Sequence, residues 1–218
     1  LKQLTKYSSV LYSISFVSLL LLAFFCFRGF GIACHFEEWT GRGLYPALAL
    51  TNGFDLYETT KGPLITLYGF GTALFYSPTF VANNPTASIW IAYLCNLGGL
   101  FFPISYLVWK LIEKDELPKY LRSYAIIIIT SLLILLLQLE STTQGTLRIH
   151  ADTPAISFIL CSLVFFIKYE EKKRRGFLFL ASLCLTFAAW SKLPALPALF
   201  FPQLYFLFDR ILNALWLF

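Results

Sequence analysis

The chain has 218 residues, 58% of them hydrophobic and 13% charged, about half the charge content of an ordinary soluble domain. With 23 phenylalanines and 18% aromatics it holds more apolar surface than a soluble domain of this size can hide, which excludes that class and points to lipid as the solvent. The formal charge of +5 sits in short connectors between apolar runs and not in a basic, aromatic-interleaved patch, so membrane topology explains it and nucleic acid is set aside.

A helix that crosses a bilayer needs about 20 apolar residues. Residues 9–31 meet this, running through Leu19, Leu20, Leu21 and Leu22, with Arg28 near the far end able to snorkel to the interface. Residues 32–86 follow as a connector long enough to expect a function of its own. It is dense in aromatics (Trp39, Tyr45, Tyr57, Tyr68, Phe70, Phe75, Tyr76, Phe80) and punctuated by glycine, the composition of a segment lying at headgroup level. It predicts interfacial helices over 38–51 and 64–76, separated by a turn at Asn52-Gly53 and a break at Gly62-Pro63. Further spans are predicted over 87–109, closed by Trp109-Lys110, over 123–139, and over a shorter 153–167. The stretch 177–208 exceeds one crossing, so it is read as two spans, 177–190 and 193–208, turning at Trp190-Ser191-Lys192, in preference to one pass broken by Pro194 and Pro197.

The expected class is therefore all-α: a polytopic transmembrane helix bundle of about six spans, one membrane domain over 1–218, with a long outer loop of interfacial helices after the first span. The connectors 110–122 (Lys110, Lys114, Lys119, Arg122) and 168–175 (Lys168, Lys172, Lys173, Arg174, Arg175), together with Lys2 and Lys6 at the amino end, are basic and predicted to be cytoplasmic. Parity then places 32–86 and 140–152 outside the cytoplasm of a multi-pass protein of the plasma or inner membrane. Cys26, Cys34, Cys95, Cys161 and Cys184 form no CxxC pair and read as small buried hydrophobes. The absence of Met and the apolar end Ala-Leu-Trp-Leu-Phe lead us to expect a piece of a longer protein.

Two groups of outer-face residues can carry chemistry. Glu37 and Glu38 follow the first span, where partial desolvation makes a carboxylate a better base and where two carboxylates can hold a divalent cation. Their plainer reading is as solvated residues acidifying the first turn of an interfacial helix. Arg148, His150 and Asp152 open the fourth span. Arg148 can hold a phosphate bidentately and His150 can donate a proton or bind a metal, while the plainer reading pairs Arg148 with Asp152. Glu140, ending the third span, can belong to either group. Lys192 faces outward if 177–208 is two spans, as an anion ligand or a snorkelling lysine, and Asp55 is a turn residue on the same face. Glu113, Asp115, Glu116, Glu170 and Glu171 alternate with lysines as solvated faces.

The acidic pair after the first span, the long outer loop through Gly53-Phe54-Asp55-Leu56-Tyr57 and Gly62-Pro63 to Tyr68-Gly69, and the Arg148-Ile149-His150-Ala151-Asp152 segment before an apolar span resemble the GT-C superfamily of membrane glycosyltransferases. The likeness is to the branch that includes protein O-mannosyltransferases and bacterial lipid-A aminoarabinose transferases, and it covers roughly residues 9–200, the amino-terminal half of such an enzyme. It implies transfer of a sugar from a polyprenyl-phosphate carrier to a glycan, lipid or protein acceptor outside the cytoplasm. In that reading Glu37 or Glu38 is the base or a ligand for Mg or Mn, and Asp55, Arg148, His150, Asp152 and Lys192 bind substrate. The chain departs from the family in having Glu-Glu where Asp-Glu is frequent. No nucleotide-binding signature is present, which suits a lipid-linked donor. The competing readings are a secondary transporter or permease, suggested by the proline-broken stretch after residue 190, and a non-catalytic membrane assembly subunit.

Overall fold

The computed structural model describes residues 10, 12–22, 24, 38–53, 69–82, 84–113, 118–139, 149–192 and 195, with 38–42 and 137–139 described for the backbone alone. Every regular element among them is helical. In chain order these are α1 (Tyr12–Leu22), α2 (Glu38–Thr51), α3 (Phe70–Tyr76), a 3-10 turn (Ser77–Val81), α4 (Pro85–Ile112), α5 (Lys119–Leu139), α6 (Asp152–Lys172) and α7 (Arg175–Ser191). Three helices, α4, the Lys119–Leu136 part of α5, and α6, are long and apolar enough to cross a membrane. The expected span 193–208, apart from residue 195, and the far end of 9–31 from residue 25 on lie outside the described residues.

The packing is that of a bundle dissolved in lipid. Leu111, Phe102 and Phe179 are 79%, 74% and 68% exposed, whereas Asn96, Thr130, Ser131 and Thr153 are fully buried. With apolar solvent outside, burying a leucine gains nothing, so small and hydrogen-bonding residues take the helix contacts. On α1, Ser15, Ser18 and Leu22 turn inward while Phe16, Val17, Leu20 and Leu21 face out. Ser105 on α4 donates to Thr130 on α5 at 3.3 Å. Leu22, Leu100, Ile104, Val108, Ile134 and Leu135 fill the space between α1, α4 and α5.

Helix ends differ from the sequence expectation in an instructive way. The fourth span is not short: α6 continues past Ile167 to Lys172, and α4 runs on to Ile112. The charged residues after each apolar run stay helical because the helix carries them to the boundary, where they find partners. Lys110 pairs with Glu113 and with Glu171, each at 2.6 Å, so the carboxyl ends of α4 and α6 lie together and the two helices run parallel. The basic connector 168–175 shrinks to Lys173 and Arg174. Lys173, with φ 51°, turns the chain in the left-handed region and donates its backbone N–H to Tyr169 O at 2.6 Å, which folds α7 back antiparallel against α6.

At the opposite end α2, α3 and the 3-10 turn cap the bundle. Helix α2 occupies the range 38–51 named above. It stops where Asn52 Nδ2 donates to Leu48 O at 2.8 Å and Gly53 takes φ +73°, a value open to glycine at little cost. Of the expected helix 64–76, the described part is helical only from Phe70, with Gly69 extended in front of it; residues 64–68 and the break at Gly62-Pro63 lie outside the described residues. Helix α4 starts cleanly, since Asn84 Oδ1 accepts from Ala87 N at 2.7 Å and Pro85 occupies the first position, where no N–H is needed. Leu44, Ala47, Tyr76, Ile89, Ala92 and Ile149 join these elements in a second core cluster.

Candidate functional site

Because α6 and α7 form a hairpin with a minimal connector, the residues that open α6 meet the residue that leaves α7. Three of the side chains singled out in the sequence converge there. Asp152, in the first turn of α6, accepts from Lys192 Nζ through Oδ1 and from His150 Nδ1 through Oδ2, the latter at 2.8 Å. The Asp152 backbone N also lies 3.4 Å from His150 Nδ1. A nitrogen that donates cannot accept at the same time, and the shorter, charge-assisted contact to the carboxylate wins. The proton therefore resides on Nδ1. The side chain of His150 is 13% exposed, that of Lys192 31% and that of Asp152 43%, so a ligand reaches the cluster over the carboxylate. A lysine ammonium carries three donors, and Asp152 occupies one of them. What the arrangement offers chemically is an oriented cation beside an imidazole at the end of a bundle, suited to an anionic group such as a phosphate.

A buried pair of groups that sequence reasoning missed fixes the segment in front of α6. Tyr76, fully buried at the end of α3, lies 2.8 Å from Asn96 Oδ1 and 3.2 Å from the carbonyl of His150. One phenolic proton cannot serve both oxygens fully. It goes mainly to the nearer Asn96 Oδ1, with the His150 carbonyl as a longer second acceptor, and ties α3, α4 and the His150 segment together. Burial pushes the Tyr76 phenol well above its ordinary range, keeping it protonated and a donor at any working pH. Asn96 did carry a signal, as a carboxamide inside an apolar span.

Helix α3 also sets the position of Lys192. Thr72 Oγ1 donates to Ser191 O at 3.3 Å, and glycines let the two backbones touch. A Cβ at Gly69 would strike Trp190 O; one at Gly71 would strike Phe187 O and come within 2.5 Å of Ser191 Oγ. Gly71→Ala is therefore expected to force α3 off α7, at about 1–3 kcal/mol, and to separate Lys192 from Asp152. A fall in thermal midpoint of about 2–4 °C per kcal/mol checks it, and an unchanged midpoint rejects the close contact.

Of the other predicted site residues, Glu37, Asp55, Arg148 and Glu140 lie outside the described residues. Glu38 is the first residue of α2, and its side chain is likewise outside the description. Helix α2 nevertheless runs against the site: a Cβ at Gly43 would sit 3.1 Å from Ile149 O, and Glu38 precedes Gly43 by about 7 Å of helix axis. The Glu37 and Glu38 side chains, the expected cation ligands, lie outside the described residues. The Lys192 ammonium already occupies the carboxylate of Asp152, and among the described residues no three His, Cys, Asp or Glu side chains converge. Comparison of the chain with family models, with curated proteins and with solved structures returns no match.

Proposed function

We propose that the chain belongs to a membrane glycosyltransferase that takes a sugar from a polyprenyl-phosphate carrier and passes it to an acceptor hydroxyl on the non-cytoplasmic face. The observation that carries this reading is the convergence of His150, Asp152 and Lys192 at one end of a bundle with membrane-length helices, beside a helix that begins at Glu38. A lipid-linked donor presents its phosphate at the membrane boundary, and such a cluster meets it there.

In the proposed reaction the bond from the sugar's anomeric carbon to the carrier phosphate breaks, its electron pair leaving on the phosphate. A bond from that carbon to the acceptor oxygen forms, and the acceptor's proton passes to Glu37 or Glu38. Lys192 stabilises charge on the departing phosphate, and Asp152 holds Lys192 and His150 in place. Asp55 and Arg148 complete the substrate contacts in this reading. The full-length protein, reconstituted in liposomes with labelled polyprenyl-phosphate sugar, is expected to move label onto an added acceptor. Uptake of a solute without any label transfer would replace this reading with a permease.

A further inference from the structure

The end of the bundle away from His150 carries a surplus of cations at a defined depth. Tyr106 and Trp109 on α4 lie 5.5 Å apart between ring centroids, tilted to each other; Lys110 lies 4.3 Å from the Trp109 ring and Lys168 5.1 Å from that of Tyr106. Aromatic rings and snorkelling lysines at one level mark the boundary between hydrocarbon and water. The tip of the α6–α7 hairpin projects past Tyr169 by about 6 Å, the depth of lipid phosphates.

The carboxylates at this level are already engaged: Glu113 and Glu171 by Lys110, and Glu170 by Lys173. Among the described residues Lys172, Arg174 and Arg175 have no carboxylate within ion-pair distance, all three are exposed, and α7 has no acidic residue in its first turn. The surplus survives when Lys114, Asp115 and Glu116 of the neighbouring connector are included. Below Arg175, on the same face of α7 at successive four-residue steps, come the exposed Phe179 and Leu183. A basic head above a bare apolar stripe has the chemistry of one lipid molecule.

We propose that Lys172, Arg174 and Arg175 bind the phosphodiester headgroup of an anionic phospholipid whose acyl chain lies along Phe179 and Leu183. The three cations attract the phosphate chiefly by charge, and the apolar stripe distinguishes a lipid from a free phosphate. This surface is independent of the transferase reading.

The test uses the full chain in uncharged detergent, titrated with phosphatidylglycerol or phosphatidylcholine, with bound lipid counted by native mass spectrometry. Phosphatidylglycerol is expected to bind preferentially, and added salt to weaken it. Each cation near a surface contributes about fivefold in affinity. K172Q/R174Q/R175Q should therefore bind phosphatidylglycerol about a hundredfold more weakly, and R174K/R175K should retain most of the preference. Unchanged helical signal and thermal midpoint in phosphatidylcholine establish that the triple variant is folded. If it is not, Arg175→Gln alone, with its expected fivefold loss, decides. A preference that survives the triple substitution, or a wild-type chain that binds both lipids alike, overturns the proposal. So does displacement of phosphatidylglycerol by an equal concentration of soluble glycerol phosphate, which would mark a free-anion site.

Discussion

Replacing Tyr76 by Phe is expected to lower the stability of the detergent-solubilised chain by about 2 kcal/mol, and replacing it by Ala by about 3–5 kcal/mol. The two variants remove different things. Phe keeps the ring in place against Phe75 (centroids 5.1 Å apart, nearly perpendicular) and within the Leu44, Ala47, Ile89, Ala92 and Ile149 cluster. It deletes only the hydroxyl, so the Asn96 carboxamide and the His150 carbonyl lose that partner at a buried junction. Ala also removes the ring and opens a cavity in a junction of four elements. Chemical denaturation in detergent measures both values. A Phe variant as stable as the wild type would mean that the phenol contributes no net hydrogen bond there. Should the Phe variant instead be destabilised and also weaken anion binding at Lys192, the Tyr76 hydroxyl fixes the site as well as the fold.

What the sequence discloses and what it conceals follow from what each residue's chemistry makes visible. Long apolar runs announce α4, α5 and α6 because no soluble packing tolerates them, and Asn52-Gly53 announces the end of α2 because the turn needs a left-handed residue. Helix ends are less visible: hydropathy measures solubility in lipid, not helicity, so Lys168 to Lys172 read as a loop although they complete α6. His150, Asp152 and Lys192 were each legible as polar groups bordering apolar runs. Their meeting was not, since it depends on α7 returning antiparallel with its last residue level with the start of α6. The plainer reading paired Asp152 with Arg148, which lies outside the described residues; among the described ones the carboxylate is bonded to His150 and Lys192. Tyr76 was hidden for a different reason. A tyrosine in an aromatic-rich connector suits a membrane surface as well as a buried junction, and only the approach of Asn96 and His150 tells the two apart.

In the full-length protein, the double substitution Glu37→Gln with Glu38→Gln is expected to reduce sugar transfer by about 10²–10⁴-fold, the contribution of a positioned general base, while thermal stability stays near that of the wild type. Glutamine keeps the length and planarity of the side chain but cannot take the acceptor's proton, so the loss should fall on kcat more than on KM. Single variants assign the role. Glu38 begins α2, and its side chain, like Glu37, lies outside the described residues. If Glu37→Gln alone reproduces the double variant, the base is the residue outside the helix; if Glu38→Gln does, the helix presents the base itself. Loss of activity in the double variant that added Mg or Mn restores would assign the pair to a metal instead. Transfer that persists within threefold of wild type would remove both carboxylates from the reaction.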